Sequence, residues 1–115
     1  KNAVVWYHIG SAYALHKRND HAIDAFRQVL RINPQHVPAW SSLGVIYARL
    51  NRYEEALNAS RRAVQIDPEN AEAWTGLATV HHLSGKRSAA LEAVRKLRTL
   101  DPVKADELLS LIAPH

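Results

Sequence analysis

The chain has 115 residues and a formal net charge of +4, and its length suits one compact domain. It contains no cysteine, which excludes disulfide bonds and thiolate metal sites. The charge is scattered along the chain, and no run approaches the roughly 20 apolar residues of a membrane-spanning helix, so we expect no membrane partner.

The first residue, Lys1, is not an initiator methionine, and the sequence contains no methionine at all. We therefore expect a cut or processed end and a native protein that is longer than these residues. No signal peptide is visible, although an excised fragment would not show one. The lack of cysteine fits every compartment, and among them we favour the cytoplasm.

Three residue types recur along the chain at a step of 34 residues. The tryptophans are Trp6, Trp40 and Trp74, the prolines are Pro34, Pro68 and Pro102, and the alanines are Ala22, Ala56 and Ala90. One step shared by three residue types indicates an internal repeat of the kind that stacks supersecondary units. We therefore divide a single domain, 1–115, into units over about 3–36, 37–70 and 71–104.

Each unit contains two apolar stretches with the spacing of an amphipathic helix. In the second unit, Leu43, Ile46, Tyr47 and Leu50 follow one another in steps of three, one and three, which is typical of a helix rather than a strand. A short polar segment separates the two stretches, at 17–19, 51–52 and 84–86, and so short a connection makes the two helices antiparallel neighbours. Each second helix ends near a proline, which disfavours helix in the residue before it.

The three polar connections each contain a residue at the place where a left-handed backbone is expected. Gly85 suits that conformation, and Asn51 tolerates it. Lys17 stands at the matching place in the first unit. It should cost about 1 kcal/mol there relative to glycine.

A further helix is predicted after the third unit, over about 102–113 and ending at Pro114. Asp101 can cap it, and Pro102 suits its first position. Its apolar face is predicted to consist of Leu108, Leu109, Leu111 and Ile112. Because the last unit of a stacked array exposes apolar surface unless something covers it, we interpret this helix as the cover and the end of the array.

With these residues the chain resembles the tetratricopeptide repeat family over 102 of its 115 residues. The family pattern is Trp, Leu, Gly, Tyr, then Ala, Phe or Tyr, Ala and Pro. The second unit departs from it only at Ser60: Trp40, Leu43, Gly44, Tyr47, Ala56, Ser60, Ala63, Pro68. The first unit has Trp6, Ile9, Gly10, Tyr13, Ala22, Phe26, Val29, Pro34, and the third has Trp74, Leu77, Ala78, His81, Ala90, Val94, Leu97, Pro102. The resemblance implies an all-α solenoid of three antiparallel helix–turn–helix hairpins with a C-terminal capping helix.

The resemblance also implies that the first helix of each hairpin lines a concave groove in which extended partners usually lie. We select as partner-binding candidates the matching residues Tyr7, Ser11, Ser41, Val45, Arg49, Thr75, Thr79 and His82. The surface formed by these residues has small side chains and little net charge, and Arg49 is its main fixed positive charge. It suits a peptide backbone, or a helix with small side chains. The alternative is that these are solvated helix faces without a partner.

Some members of the family clamp the C-terminal carboxylate of chaperones with lysine, asparagine and arginine side chains. The positions concerned hold Tyr7, Ser11, Ser42, Glu72 and Gly76 in this chain. None of them matches, and Glu72 would repel a carboxylate. We therefore predict that this chain has no chaperone carboxylate clamp.

Seven histidines raise the question of a metal site. His81 and His82 are adjacent, so on a helix they point about 100° apart. His16 and His21 straddle a turn, His36 is assigned to a loop, and no pair has the i, i+4 spacing of a helical metal site. His81 replaces the tyrosine of the family and should pack between helices. We predict neither a metal nor a cofactor.

Two further functions find little support in the sequence. There is no Gly-rich phosphate loop, cysteine nucleophile or nucleophile elbow, so we predict that the chain is not an enzyme.

The second helix of the third unit and the turn before it carry the basic residues Lys86, Arg87, Arg95, Lys96 and Arg98. Since aromatic stacking residues are missing and acidic residues follow nearby, a solvated helix face is favoured over a nucleic-acid site. Arg98 can fold its stem over the capping helix.

We predict a protein-interaction module, part of a larger protein, that binds a peptide or helical segment of a partner in the concave groove. The alternative is homo-oligomerisation, because Val4, Val5 and Ile9 of the uncapped first hairpin could dock on another copy. A third hypothesis, nucleic-acid binding through the basic helix, would show an affinity that falls steeply with salt.

Overall fold

The computed structural model describes residues 2–113, and most of them lie in seven helices. The helices are α1 (Ala3–Leu15), α2 (Asn19–Ile32), α3 (Val37–Arg49), α4 (Tyr53–Ile66), α5 (Ala71–Leu83), α6 (Arg87–Leu100) and α7 (Pro102–Ile112). Successive pairs pack as three hairpins, each hairpin contacts the next, and α7 covers α6. This confirms the predicted all-α solenoid of three hairpins and a capping helix. None of these seven helices has the length and apolar character needed to cross a membrane.

The capping helix differs in one respect from its prediction. Ala105, Leu108 and Ile112 are buried against the third hairpin, whereas Leu111 is 68% exposed. The assignment of Leu111 to the apolar face is therefore wrong. Ala105, Leu108, Leu109 and Ile112 form the packed face, and Leu111 lies roughly 110° around the helix from the middle of that face. Two predictions, the processed end at Lys1 and the end of this helix at Pro114, lie outside the described residues.

A hydrogen bond links the tryptophan and proline positions of the repeat. The indole nitrogen of Trp40 donates to the carbonyl oxygen of Pro34 at 2.8 Å, and that of Trp74 donates to Pro68 at 2.7 Å. Each bond closes the short loop between one hairpin and the next. It therefore fixes the point at which the first helix of the next hairpin begins.

Side chains cap the first helix of every hairpin, but not the second. Asn2, His36 and Asn70 accept hydrogen bonds from backbone N–H groups in the first turns of α1, α3 and α5. His36 is therefore the N-cap of α3, with its Nδ1 accepting from Ala39 at 3.1 Å, and not simply a loop residue as assigned from the sequence. Such caps satisfy donors that the helix itself leaves unpaired.

Small residues set the distance between the two helices of a hairpin. A Cβ added at Gly44 on α3 would lie 3.1 Å from the Cβ of Ser60 and 3.2 Å from the carbonyl oxygen of Ala56, both on α4. Ala56 and Ser60 are themselves completely buried. Larger side chains at these positions would push the helices apart.

The hairpin turns contain the left-handed residues that were predicted. Lys17, Asn51 and Gly85 have φ angles of 60°, 63° and 77°. An L-residue other than glycine meets steric repulsion between its Cβ and the backbone in this region. The first hairpin therefore stores strain at Lys17 that the third avoids at Gly85.

Replacing Lys17 with glycine is expected to raise the free energy of unfolding by about 1 kcal/mol, because glycine has no Cβ to clash at a φ of 60°. Urea unfolding followed by circular dichroism measures the change. Arg18→Gly is the matched control, since Arg18 lies in the same turn with a φ of −92°. Equal effects of the two substitutions, or a loss of stability with Lys17→Gly, would contradict the argument.

Candidate partner-binding groove

A recess of about 440 Å³ runs along the first helices of the three hairpins. Six of the eight candidate residues line it, namely Ser11, Ser41, Val45, Arg49, Thr75 and Thr79. Its other lining residues are Ala14, Leu15, Phe26, Ser42, Ile46, Glu72 and Gly76. The recess has the volume of a ligand site in an ordinary globular protein.

Part of the recess lies between α1 and α3, and these helices contact each other less than α3 and α5 do. At the closer contact two small residues meet, and a Cβ added at Gly76 would lie 3.3 Å from the Cβ of Ser41. The corresponding residues one repeat earlier are Tyr7 and Ser42. A large tyrosine side chain thus stands in α1 where α3 has a serine, and α1 and α3 contact each other less than α3 and α5 do.

Tyr7 does not line the recess. Its half-buried ring packs against Phe26, with 5.6 Å between ring centroids, and against His36, with 5.2 Å. The separation of α1 from α3 uncovers part of the floor, where the recess reaches Phe26 and Ile46. These two residues were not among the candidates. One sequence feature could have identified Phe26. It stands at the aromatic position of the family pattern, where the other two units have Ser60 and Val94.

The polar groups of the recess differ in how far the protein already satisfies them. Thr75 and Thr79 donate their hydroxyl hydrogens to the backbone oxygens of Ala71 and Thr75, at 2.9 and 2.8 Å. The Ser41 hydroxyl has no hydrogen-bond partner, although the residue is only 4% exposed. A buried hydroxyl without a partner loses the hydrogen bonds that it makes to water in the unfolded chain, and the Ser41 oxygen is itself enclosed at the contact with Gly76.

Two charged side chains of opposite sign line the same recess. Arg49 is the last residue of α3, and Glu72 is the second residue of α5. Both are exposed, and neither forms an ion pair with any group among residues 2–113. The recess therefore presents one unneutralised positive charge and one unneutralised negative charge to a ligand.

The two adjacent histidines of α5 lie in different environments. His82 is exposed and is not a lining residue of the recess, whereas His81 is buried as predicted. Burial and, after it, the positive charges of Arg61 and Lys86 lower the pKa of His81 from its usual value of 6.5. Residues 2–113 contain no cluster of three or more His, Asp or Glu side chains that could hold a metal ion.

Stability should therefore depend on pH through His81. Above about pH 6.5 the residue is neutral in both states and has no effect. Below that pH the unfolded chain gains a proton that the folded chain resists, so the free energy of unfolding falls until the lower folded pKa is reached. The variant His81→Tyr should remove this part of the acid dependence, and it also places a hydroxyl near Arg61, as Tyr47 accepts a hydrogen bond from Arg27 at 2.8 Å.

Urea unfolding of wild type and His81→Tyr at pH 5.5 and pH 8 tests this expectation. The control variant is His82→Tyr, which makes the same chemical change at the exposed neighbouring residue and should keep the wild-type acid dependence. An acid dependence that is unchanged in His81→Tyr would show that other groups cause it.

The basic residues of α6 are partly neutralised. Arg98 forms an ion pair with Asp106 of the capping helix at 2.7 Å, and Lys96 lies 3.9 Å from Glu69. The guanidinium of Arg98 therefore links α6 to α7 and remains partly exposed. Such pairs reduce the positive potential that a nucleic-acid backbone would need.

Three family models match the chain, all of them tetratricopeptide repeat models. They match residues 3–36 and 25–58, both as Tetratricopeptide repeat, and residues 46–85 as TPR repeat. Together the matches cover residues 3–85 without a gap. No curated protein sequence matches the chain significantly.

Solved structures share the fold at low sequence identity. The first TPR of Spaghetti (RPAP3), bound to the HSP90 peptide SRMEEVD, is 20% identical with a TM-score of 0.84, over 97% of this chain and 90% of that one. The TPR2B domain of yeast Sti1, in a complex with pHsp70, is 21% identical with a TM-score of 0.85, over 97% and 96%. The Arabidopsis OM64 TPR domain is 17% identical with a TM-score of 0.84, over 98% and 95%.

The repeat of 34 residues, the three stacked hairpins and the matches of three repeat models agree with one another. This chain belongs to the tetratricopeptide repeat family.

Proposed function

We propose that this chain is a protein-interaction module, and that it binds a segment of a partner protein in the groove formed by α1, α3 and α5. The observation that carries the proposal is the recess of about 440 Å³, which six of the eight candidate residues line. Peptide-bound domains of the same fold support an interaction role in general. We further propose that the chain acts as one domain of a larger cytoplasmic protein, without catalytic, nucleic-acid or membrane function.

Affinity capture with wild-type chain and a groove variant tests this proposal. The variant Val45→Asp with Arg49→Glu changes two lining residues and should lose the proteins that wild type retains from the source cells. Arg62→Glu is the matched control, because it makes the same charge reversal on an exposed residue of α4 away from the recess. Identical retained proteins for wild type and the groove variant would refute the assignment of the groove.

The absence of a chaperone clamp stays a prediction. The similar domains include complexes with HSP90 and Hsp70 peptides, which give it no support. Our reason lies in the side chains. The position of Gly76 offers no donor group, Glu72 carries the wrong charge, and Tyr7 packs on Phe26 and His36.

We expect no binding of the peptide SRMEEVD to this chain at a Kd below about 1 mM, because no basic group stands where its carboxylates would need one. Isothermal titration calorimetry measures it. A Kd in the micromolar range that is lost on substituting Ser11 and Ser42 would show that a clamp exists after all.

Self-association is the second candidate function, and a comparison between repeats favours it. Val5 and Ile9 of α1 are 51% and 37% exposed, whereas Ala39 and Leu43, the same positions in α3, are 0% and 3% exposed. In α3 these positions pack against the preceding hairpin. The 13 residues of α1 also include no Asp, Glu, Lys or Arg, so a second copy would meet no charge repulsion there.

Light scattering over a concentration series tests this second candidate. A dimer that Ile9→Glu converts to monomer would support it, since the glutamate would be buried without a partner. A wild-type chain that stays monomeric at millimolar concentration would rule it out.

A further inference from the structure

A second surface of α1, separate from the groove, is open in the structure. Around a recess of about 360 Å³ it presents Ile9, Ala12, Tyr13, His16 and Arg18, none of which lines the groove. At the step of 34 residues these correspond to Leu43, Ile46, Tyr47, Leu50 and Arg52. Leu43, Ile46 and Tyr47 are at most 6% exposed, whereas Ile9 is 37% exposed. This outer face of α1, to which the exposed Val5 also belongs, is thus the uncovered counterpart of a buried surface in the second hairpin.

A helix covers the corresponding surface in both later hairpins. In the second hairpin, α2 packs on α3, and Arg27 of α2 donates a hydrogen bond of 2.8 Å to the hydroxyl of Tyr47. In the third, α4 packs on α5, and Leu57 and Val64 contact the buried cluster of that hairpin. These two residues are seven positions apart and so lie on one side of α4. The internal repeats therefore indicate that the outer face of α1 is shaped to receive an amphipathic helix.

In the second hairpin, carboxylates neutralise the cations that surround Tyr47. The Arg52 guanidinium lies 4.8 Å from the centroid of the Tyr47 ring and donates two hydrogen bonds of 2.8 Å to Glu55. The hydrogen bond to Glu55 and, to a smaller extent, the charge of Asp20 on α2 raise the pKa of Arg52 above its usual value. The arginine that α2 brings to this place, Arg27, thus joins a cluster in which acidic groups are already present.

The first hairpin has the corresponding cation without its carboxylate. Arg18 stands one repeat before Arg52, and His21 stands where the second hairpin has Glu55. The His21 ring packs on Tyr13, with 4.9 Å between ring centroids. Arg18 is exposed and forms no ion pair with any group among residues 2–113. A second arginine brought to this place would meet Arg18 without a neutralising group, whereas a carboxylate would form a charge-assisted hydrogen bond with it.

We propose that the outer face of α1 docks an amphipathic helix of a partner protein that carries an acidic side chain on its apolar side. The apolar side chains of this helix cover Val5 and Ile9, and its carboxylate pairs with Arg18 beside the Tyr13 ring. A second copy that docks through the same face brings no carboxylate, because the 13 residues of α1 include no Asp or Glu. The proposal concerns a surface apart from the groove and does not depend on what the groove binds.

The helix α2 supplies a probe, because it already covers the matching surface of α3. The probe is a synthetic peptide with the sequence of Asn19–Ile32, kept helical by a hydrocarbon staple between positions 24 and 31, both of which are exposed in α2. A second peptide carries the change Arg27→Glu, which puts a carboxylate at the position that reaches the tyrosine. Fluorescence anisotropy with the purified chain 1–115 should show the glutamate peptide binding about 10-fold more tightly than the arginine peptide.

Charge reversal on the chain provides the decisive comparison. With Arg18→Glu the order of the two peptides should invert, because the attraction and the repulsion exchange places. Arg49→Glu makes the same charge reversal in the groove and should leave both affinities unchanged. Ile9→Glu should abolish the binding of both peptides, because docking would bury its charge among apolar groups. Circular dichroism of each variant establishes that it is folded.

Several results would overturn the proposal. They are equal affinities of the two peptides for wild type, no binding of either below about 1 mM, and binding that Ile9→Glu leaves intact. A wild-type dimer that Ile9→Glu converts to monomer would assign this face to a second copy instead. None of these results bears on the groove, which the Val45→Asp and Arg49→Glu variant tests by itself.

Discussion

Replacing Phe26 with alanine is expected to lower the free energy of unfolding by about 3–5 kcal/mol, a large part of the stability of a domain this size. The Phe26 side chain is 1% exposed and packs in the core shared by the first two hairpins. Its removal loses the burial of the ring and leaves a cavity beneath the groove. Urea unfolding followed by circular dichroism measures the loss.

A second substitution tests whether the ring of Phe26 is what requires glycine at position 10. A Cβ added at Gly10 would lie 2.8 and 2.9 Å from two ring atoms of Phe26, which are too close. Gly10→Ala should therefore destabilise wild type by about 1–3 kcal/mol. In the Phe26→Ala background the clash is absent, and the higher helix propensity of alanine should make the same change neutral or favourable.

This double-mutant cycle has a clear contrary result. If Gly10→Ala costs the same in both backgrounds, the ring of Phe26 is not what requires glycine at position 10. The cycle also bears on the groove, since Phe26 is part of its floor. Loss of the ring should deepen the recess and alter the binding of any segment with an apolar anchor.

The second large effect is expected at the capping helix. Leu108→Ala should lower the free energy of unfolding by about 2–3 kcal/mol, because Leu108 packs against the core of the third hairpin and is only 9% exposed. The third hairpin has no neighbour beyond it among the described residues except α7. Hydrogen exchange should therefore speed up in α5 and α6 more than in α1 and α2.

The matched control is Leu111→Ala, the same chemical change three residues later on the same helix. Leu111 is 68% exposed, so its loss should change stability by no more than about 0.5 kcal/mol. Equal losses for the two leucines would mean that the packing of α7 on α6 differs from that described. A uniform increase in exchange over all helices would mean that the array unfolds as one unit.

Much of the fold could be predicted because its determinants are local in the sequence. The apolar steps of three and four indicate helices, the short polar connections indicate antiparallel pairs, and the matching places of Lys17, Asn51 and Gly85 indicate the left-handed turns. The error at Leu111 arose where the direction of packing mattered. Four neighbouring apolar residues do not show which of them will face α6.

The candidate site was less predictable, because its shape depends on distances between hairpins. The repeat pattern places Tyr7, Ser41 and Thr75 at equivalent positions, and the sequence treats them alike. In the structure Tyr7 packs on Phe26 and His36 outside the recess, whereas Ser41 and Thr75 both line it. The Ser41 hydroxyl has no partner, and the Thr75 hydroxyl donates to Ala71. Residues of the same register thus differ in what they contact, and the repeat pattern does not show these differences.

The sequence by itself determined the number of hairpins, their family and the positions of their turns, since helix periodicity and backbone sterics act over a few residues. Only the tertiary structure decided where the groove is deep and which charges in it stay unpaired. The helices α1 and α3 make little contact with each other, while Gly76 lets α5 approach Ser41. Those separations depend on side chains that lie far apart in the sequence. These side chains meet only when the hairpins stack.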